Sequence, residues 1–342
     1  MFSAVVRCAL FAQITLLGVS SALGQTHDAG FRIFKFEGLE APVFYAATSP
    51  IDKGSPCELA VVHIHGSSGG MVIPKESPAM LKALKSAIGD GKPAPYVISP
   101  LFPSEKALKS GVVAGEKRAI WRYSRKKNSD GADSVYRDWR GGGDAIGTKL
   151  SSYDVVDAVF VALSDERKFP ALKRVVLTGF SAGGQFVGRY VAVGKGTVRK
   201  GVVLEYAAMA PSSELYFDPG QEWHYGLKSR PRYSALLTEA DIMKNLSIRR
   251  VWRGCGTQDV KTRPQTPLDI SPSAMRQGEN RYARFINFEK YLKRYPSWAA
   301  QVTFHSFEGL GHANSKAHSN PAFIKFAMGQ LSGTSGEGSL EE

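Results

Sequence analysis

The sequence predicts an α/β fold in which a mostly parallel central sheet is flanked by helices. Three observations predict it. Nearly continuous apolar runs recur at residues 59–64, 96–99, 174–177 and 201–206, as expected of strands buried on both faces, and further strands are expected at 249–254 and 301–307. Stretches of helical period lie between them, the clearest being 151–163. At Gly179-Phe180-Ser181-Ala182-Gly183 a strand pattern passes directly into a helical one, with Phe186, Val187, Tyr190 and Val191 on one face. A chain of 342 residues, 43% of them hydrophobic, suffices for one large domain with an insertion or for two smaller domains. No internal repeat is present.

Taken in order, residues 1–24 have the make-up of a secretory signal peptide. Arg7 precedes an apolar run from Cys8 to Val19, interrupted only by Gln13 and Thr15. Small residues at Ser20-Ser21-Ala22-Leu23-Gly24 then allow cleavage after Ala22 or Gly24. The run is too short and broken to span a membrane comfortably. The expectation is therefore export to a periplasm or the medium, with residues 25–331 as the folded domain and no stable membrane span.

Residues 31–36 and 42–47 suit an antiparallel edge hairpin, and 59–64 a central parallel strand ending in His65-Gly66-Ser67-Ser68-Gly69-Gly70. A helix is expected over 78–88, with Met80, Leu81, Leu84 and Ile88 inward, and a short buried strand over 96–99 closed by Pro100. Residues 104–150 show little period; they either line the site or form a surface excursion. Ser151 is the expected cap of the helix over 151–163, with Asp154 favouring its first turn. Residues 211–247 interrupt the alternation and carry Tyr216, Phe217, Trp223, His224, Tyr225 and Tyr233. A helix over 278–295, a strand over 301–307 and a terminal helix opened by Asn320-Pro321 complete the domain. The tail 332–342 has the polar composition of a disordered segment.

The junction at Ser181 carries the chemistry. Gly-x-Ser-x-Gly between strand and helix is the context of a nucleophile elbow, in which the serine sits on a sharp turn and projects its Oγ above the sheet. Glycines at 179 and 183 remove Cβ atoms that would collide there. The helix N-terminus offers N–H groups and partial positive charge where an oxyanion would form. By itself the pattern also fits a phosphate loop or a plain tight turn; its place between strand and helix favours the elbow. A serine hydroxyl needs a base to take its proton, and the base needs a carboxylate to orient it.

On these residues the chain resembles the α/β-hydrolase superfamily over most of residues 31–330, and is similar to secreted bacterial serine hydrolases of unassigned substrate. The resemblance implies nucleophile, acid and histidine on separate loops, in that order. It makes Ser181 the nucleophile, and Asp259 in the turn Gly254-Cys255-Gly256-Thr257-Gln258-Asp259 the acid, with Glu205 as the alternative. His312, between Gly311 and Ala313, becomes the base. The oxyanion hole would use the Ala182 amide and that of Gly66 or Ser67. Residues 211–247 would be a cap insertion. Asp269 lies too deep in its Pro-rich loop to be favoured as the acid. His305 and His318 read as structural. His63 and His65 are spaced like a metal pair on a strand but have no third ligand at a recognisable spacing, so packed histidines are expected and the metal assignment is none. The mechanism requires no metal or organic cofactor.

The function implied is a secreted carboxylic ester hydrolase acting through a Ser-His-Asp acyl-enzyme on a small-molecule or polymer ester. A peptidase or amidase on the same triad, or a non-catalytic envelope binding protein on the same fold, are the alternatives. The net charge of +13 and the cluster Arg122-Tyr123-Ser124-Arg125-Lys126-Lys127 either attract anionic polymers and surfaces or are solvated loop charge. No zinc-finger spacing or Walker loop accompanies them, and nucleic acid is not an expected partner. Cys57 enters one strand and Cys255 leaves another, which places them about 20 Å apart in a parallel sheet. A disulfide needs Cα atoms within about 7 Å, so two free, buried thiols are expected.

Overall fold

The computed structural model describes residues 32–36, 38–67, 73–104, 118–121, 138–261 and 268–330. The expected signal peptide 1–24, the basic cluster 122–127 and the tail 332–342 lie outside the described residues. Among the described residues one sheet runs in the order β1-β2-β4-β3-β5-β6-β7-β8. Its strands are β1 (Arg32–Phe34), β2 (Val43–Ala47), β3 (Leu59–Ile64), β4 (Tyr96–Leu101), β5 (Arg174–Phe180), β6 (Val203–Met209), β7 (Val251–Gly256) and β8 (Val302–Phe307). β2 pairs antiparallel with both β1 and β4; every pairing from β4 across to β8 is parallel.

Among the described residues, six helices of seven or more residues cover it: α1 (Ile73–Ile88), α2 (Ser152–Leu163), α3 (Ala182–Val193), α4 (Glu239–Ile248), α5 (Arg281–Leu292) and α6 (Pro321–Ala327). Because side chains alternate along a strand, Ala60, Val62 and Ile64 of β3 pack with α2 and α3, while Leu59 and Val61 pack with α1 and α6. Both faces of the central strands are thus covered, which is why their sequence is apolar without alternation. Ser151 caps α2 in a reciprocal capping box with Asp154.

The structure departs from the sequence reading in several places. α1 begins at Ile73 and carries Pro78 inside it; proline lacks the N–H that marks a helix interior, so the sequence suggests a start there. β4 continues through Pro100 to Leu101. It can do so because β3 pairs with it only as far as Ile98, and the missing N–H lies beyond that ladder. The irregular part of 211–247 ends at Thr238, whose side chain caps α4, so residues 239–247 are ordinary flanking helix. α5 is shorter than the expected 278–295 and is capped by Asn280. Cys57 and Cys255 are both free and buried. No helix among the described residues is long and apolar enough to cross a membrane.

Candidate active site

β5 ends at Phe180 and α3 begins at Ala182, leaving Ser181 as the single residue of the turn. Its backbone has φ 59° and ψ −114°, a conformation that costs a non-glycine residue about 1–3 kcal/mol. The turn is fixed from both sides: Ser181 N–H donates to the Met209 carbonyl at 2.9 Å, and Gln185 N–H donates to the Ser181 carbonyl at 2.9 Å. A Cβ on Gly179 would lie 2.4 Å from the Gly183 backbone, and one on Gly183 only 2.2 Å from the Ile64 carbonyl oxygen. Both glycines are therefore demanded by close backbone approach. The N–H groups of Ala182, Gly183 and Gly184 open α3 and have no partner within the helix.

Alongside the elbow, β3 delivers His65, Gly66 and Ser67. The Phe102 N–H donates to His65 Nε2 at 3.1 Å, so the ring proton sits on Nδ1, which donates to the Gly66 carbonyl at 2.7 Å. Burial pushes this imidazole down to about 4, consistent with a permanently neutral ring. Holding the Gly66 carbonyl also fixes the Ser67 N–H, which points the opposite way in the same trans peptide. A Cβ on Gly66 would lie 4.0 Å from the Phe180 carbonyl, so this peptide runs beside the elbow. His63 is buried against His318, with ring centroids 4.9 Å apart; His63 Nδ1 meets Ser99 Oγ at 3.3 Å, and His318 Nε2 meets Thr178 Oγ1 at 3.1 Å. Among the described residues no group of three or more His, Cys, Asp or Glu is arranged to hold a metal ion.

The remaining two candidates come from the loops after β7 and β8. His312 Nδ1 and Asp259 Oδ2 are 2.5 Å apart, and the His312 ring centroid lies 4.6 Å from that of Phe180, the residue before Ser181. The two loops are laced together. Thr257 N–H donates to the Phe307 carbonyl at 3.1 Å, Gln258 N–H to the Leu310 carbonyl at 2.9 Å, and Gly309 N–H to Thr257 Oγ1 at 3.0 Å. Gly256 makes this possible, since a Cβ there would lie 2.0 Å from the Leu310 carbonyl oxygen. The His312 pKa is lowered, chiefly by burial; the Asp259 hydrogen bond opposes this and the nearby Arg281 charge adds to it. A neutral imidazole tied through Nδ1 to a buried carboxylate can accept a proton at Nε2.

Glu205, the alternative acid, is excluded by register. It is the third residue of β6, opposite Val176, whereas the site-facing end of β6 is Met209, opposite Phe180 and Gly254. Its buried carboxylate is ion-paired with Arg174, and with Arg250 at 3.1 Å. The sequence reading misplaced it by ending β6 too early. Asp269 accepts from Tyr225 Oη at 2.7 Å and belongs to the packing of the following segment.

Residues 211–238 are fastened to the body by buried polar side chains that sequence periodicity gave no sign of. Arg253 Nη1 pairs with Glu214 Oε2 at 2.5 Å, both almost fully buried. Gln277 bonds both the N–H and the carbonyl of Glu214, each at 2.8 Å. Gln185 and Arg189 of α3 donate to Ser213 Oγ at 2.7 and 2.9 Å. Trp223 and Tyr225 are buried in this packing, with Trp223 Nε1 donating to the Gly141 carbonyl at 2.9 Å.

No family model and no curated protein sequence matches the chain. Solved structures do. A poly(3-hydroxybutyrate) depolymerase, LpqC from Bordetella parapertussis, superposes with a TM-score of 0.60 at 19% identity, over 89% of this chain and 90% of that one. A poly(aspartic acid) hydrolase-1 from Sphingomonas sp. KT-1 superposes with a TM-score of 0.61 at 20% identity, over 87% of this chain and 98% of that one. With its strand order and elbow, the chain has the α/β-hydrolase fold.

Proposed function

We propose that this chain is a serine hydrolase that cleaves carboxylic esters through an acyl-enzyme. The observation that carries the proposal is the 2.5 Å contact of His312 Nδ1 with the buried Asp259, beside a serine held at positive φ. Ser181 Oγ attacks the ester carbonyl while His312 Nε2 takes its proton, and Asp259 stabilises the imidazolium. The oxyanion accepts from the Ala182 N–H and from the Ser67 N–H, which His65 holds in direction; the Gly66 amide is the less favoured donor. His312 then protonates the departing alcohol, and a water activated by the same histidine releases the acid. Every step uses side chains and amides of this chain.

Export and substrate size belong to the same proposal. The leader at 1–24 sends the chain out of the cytoplasm, where a polymer too large to cross a membrane is accessible. One similar structure is named for a polyester and the other for a polyamide-type polymer, so polymeric esters come first and amides second among substrates to try. The test is labelling of the mature protein with a fluorophosphonate, followed by panels of aryl esters and the matching anilides. Wild type should label; Ser181→Ala should not, with turnover falling by about 10⁶-fold. A folded wild type that neither labels nor turns over any ester refutes the assignment and leaves a binding protein on a hydrolase fold.

A further inference from the structure

The acid of the candidate site is not alone in its pocket. Asp259 Oδ2 is taken by His312, while Oδ1 has no hydrogen bond that meets normal geometry despite being buried. Arg281, the first residue of α5, brings Nη1 to 3.6 Å from that oxygen, and the two side chains are 2% and 1% exposed. Arg281 is itself anchored, since Nη2 donates to Ser212 Oγ at 3.1 Å just after β6. The α5 backbone joins the arrangement, with the Tyr282 N–H directed at the Asp259 carbonyl at 3.4 Å. Nothing in the acyl-transfer mechanism calls for a cation here.

We propose that Arg281 is a positioning residue of this site: a buried cation that fixes the Asp259 carboxylate against His312 and opposes a second positive charge on the imidazole. The proposal rests on the triad reading above and adds to it. A buried cation at one oxygen and the His312 hydrogen bond at the other leave the carboxylate less freedom than the hydrogen bond alone does, and the N-terminus of α5 adds its own partial positive charge. Among the described residues, three side chains near the pair bear on its charge balance. Arg281 comes from α5, Cys255 from β7 with its thiol kept neutral by burial, and the uncharged Phe180 ring from β5. Of these, the guanidinium alone bears a charge toward His312. It acts in the same direction as burial, keeping the base unprotonated in mildly acidic surroundings.

The experiment is the pH dependence of kcat/KM for wild type, Arg281→Met and Arg281→Lys on one ester. In Arg281→Met the acid limb should move to higher pH, so that activity at about pH 5, relative to the plateau, drops several-fold below that of wild type. In Arg281→Lys the charge remains but the fork is lost, so the limb should stay while plateau kcat falls. A purely structural arginine would lower kcat in both variants without moving either limb. That result, or limbs that move equally in both, overturns the proposal. If Arg281→Met does not fold, Arg281→Lys decides it: unchanged kcat refutes positioning and a shifted limb refutes the charge effect. Failure of the triad reading looks different, because wild type itself would then be inert toward the fluorophosphonate.

Discussion

The elbow and the segment that follows β6 meet near Ser181, and they are held by opposite means. At the elbow, fit depends on side chains that are missing: Gly179 and Gly183 let backbone lie against backbone at distances no Cβ would tolerate. Over residues 211–238, fit depends on the longest side chains available, with Arg189, Arg253, Arg284 and Gln277 reaching across to bind Ser212, Ser213, Glu214 and the backbone around them. The difference teaches how each should fail. Close backbone approach fails by collision, which no second substitution nearby relieves. A buried ion pair fails by leaving a charge alone, and removing the partner relieves it.

Among single substitutions, the largest effect on stability is expected at the buried pair. Arg253→Ala should cost about 3–5 kcal/mol by leaving Glu214 uncompensated, measured by urea unfolding. Adding Glu214→Leu should recover a substantial part. If the double variant is no better than the single, the charge account of this segment is wrong. Next is Gly183→Ala, where the added methyl meets the Ile64 and His65 carbonyls and should cost roughly 1–3 kcal/mol, or more if the turn cannot shift. A Gly183→Ala variant as stable as wild type would break the comparison on the elbow side.

Lowering the pH, rather than replacing a residue, tests the elbow's surroundings, and its effect accumulates over three histidines. His65 and His318, pushed by burial down to about 4 and about 3, and His63, lowered well below its usual 6.5, stay neutral in the fold. The unfolded chain takes up protons below about 6.5 and the fold does not. Stability is therefore complete above that pH and declines as pH falls toward 4, by up to about 1.4 kcal/mol per pH unit for each histidine. Urea midpoints measured between pH 7 and pH 4 should fall steadily; a flat profile would mean that these rings are reachable by solvent.

Which parts were legible in the sequence follows from the same contrast. The elbow, Asp259 and His312 each sit in a short string of small residues, and such strings are visible because the reason for them is local. The central strands β3, β4 and β5 were legible for a similar reason, since two covered faces leave a nearly unbroken apolar run. Arg281 and the Arg253–Glu214 pair were not. Their partners lie in distant stretches of chain, and an isolated arginine at a helix start reads as a solvent-facing residue. Glu205 was misjudged because nothing in the residues after it marks where β6 stops; pairing with β5 and β7 decides that. Pro100 misled for a related reason, as it lies past the end of the β3 ladder, where its missing N–H is not needed.

The lacing of the loops after β7 and β8 has a mechanical meaning. Asp259 and His312 ride on one hydrogen-bonded piece, whereas Ser181 is anchored separately to the end of β6 through Met209. Any deformation that reaches the edge strand β8 therefore moves Asp259 and His312 together as a single jaw. The gap that varies is the one between that jaw and the serine, and the hydrogen bond within the jaw is carried along unchanged.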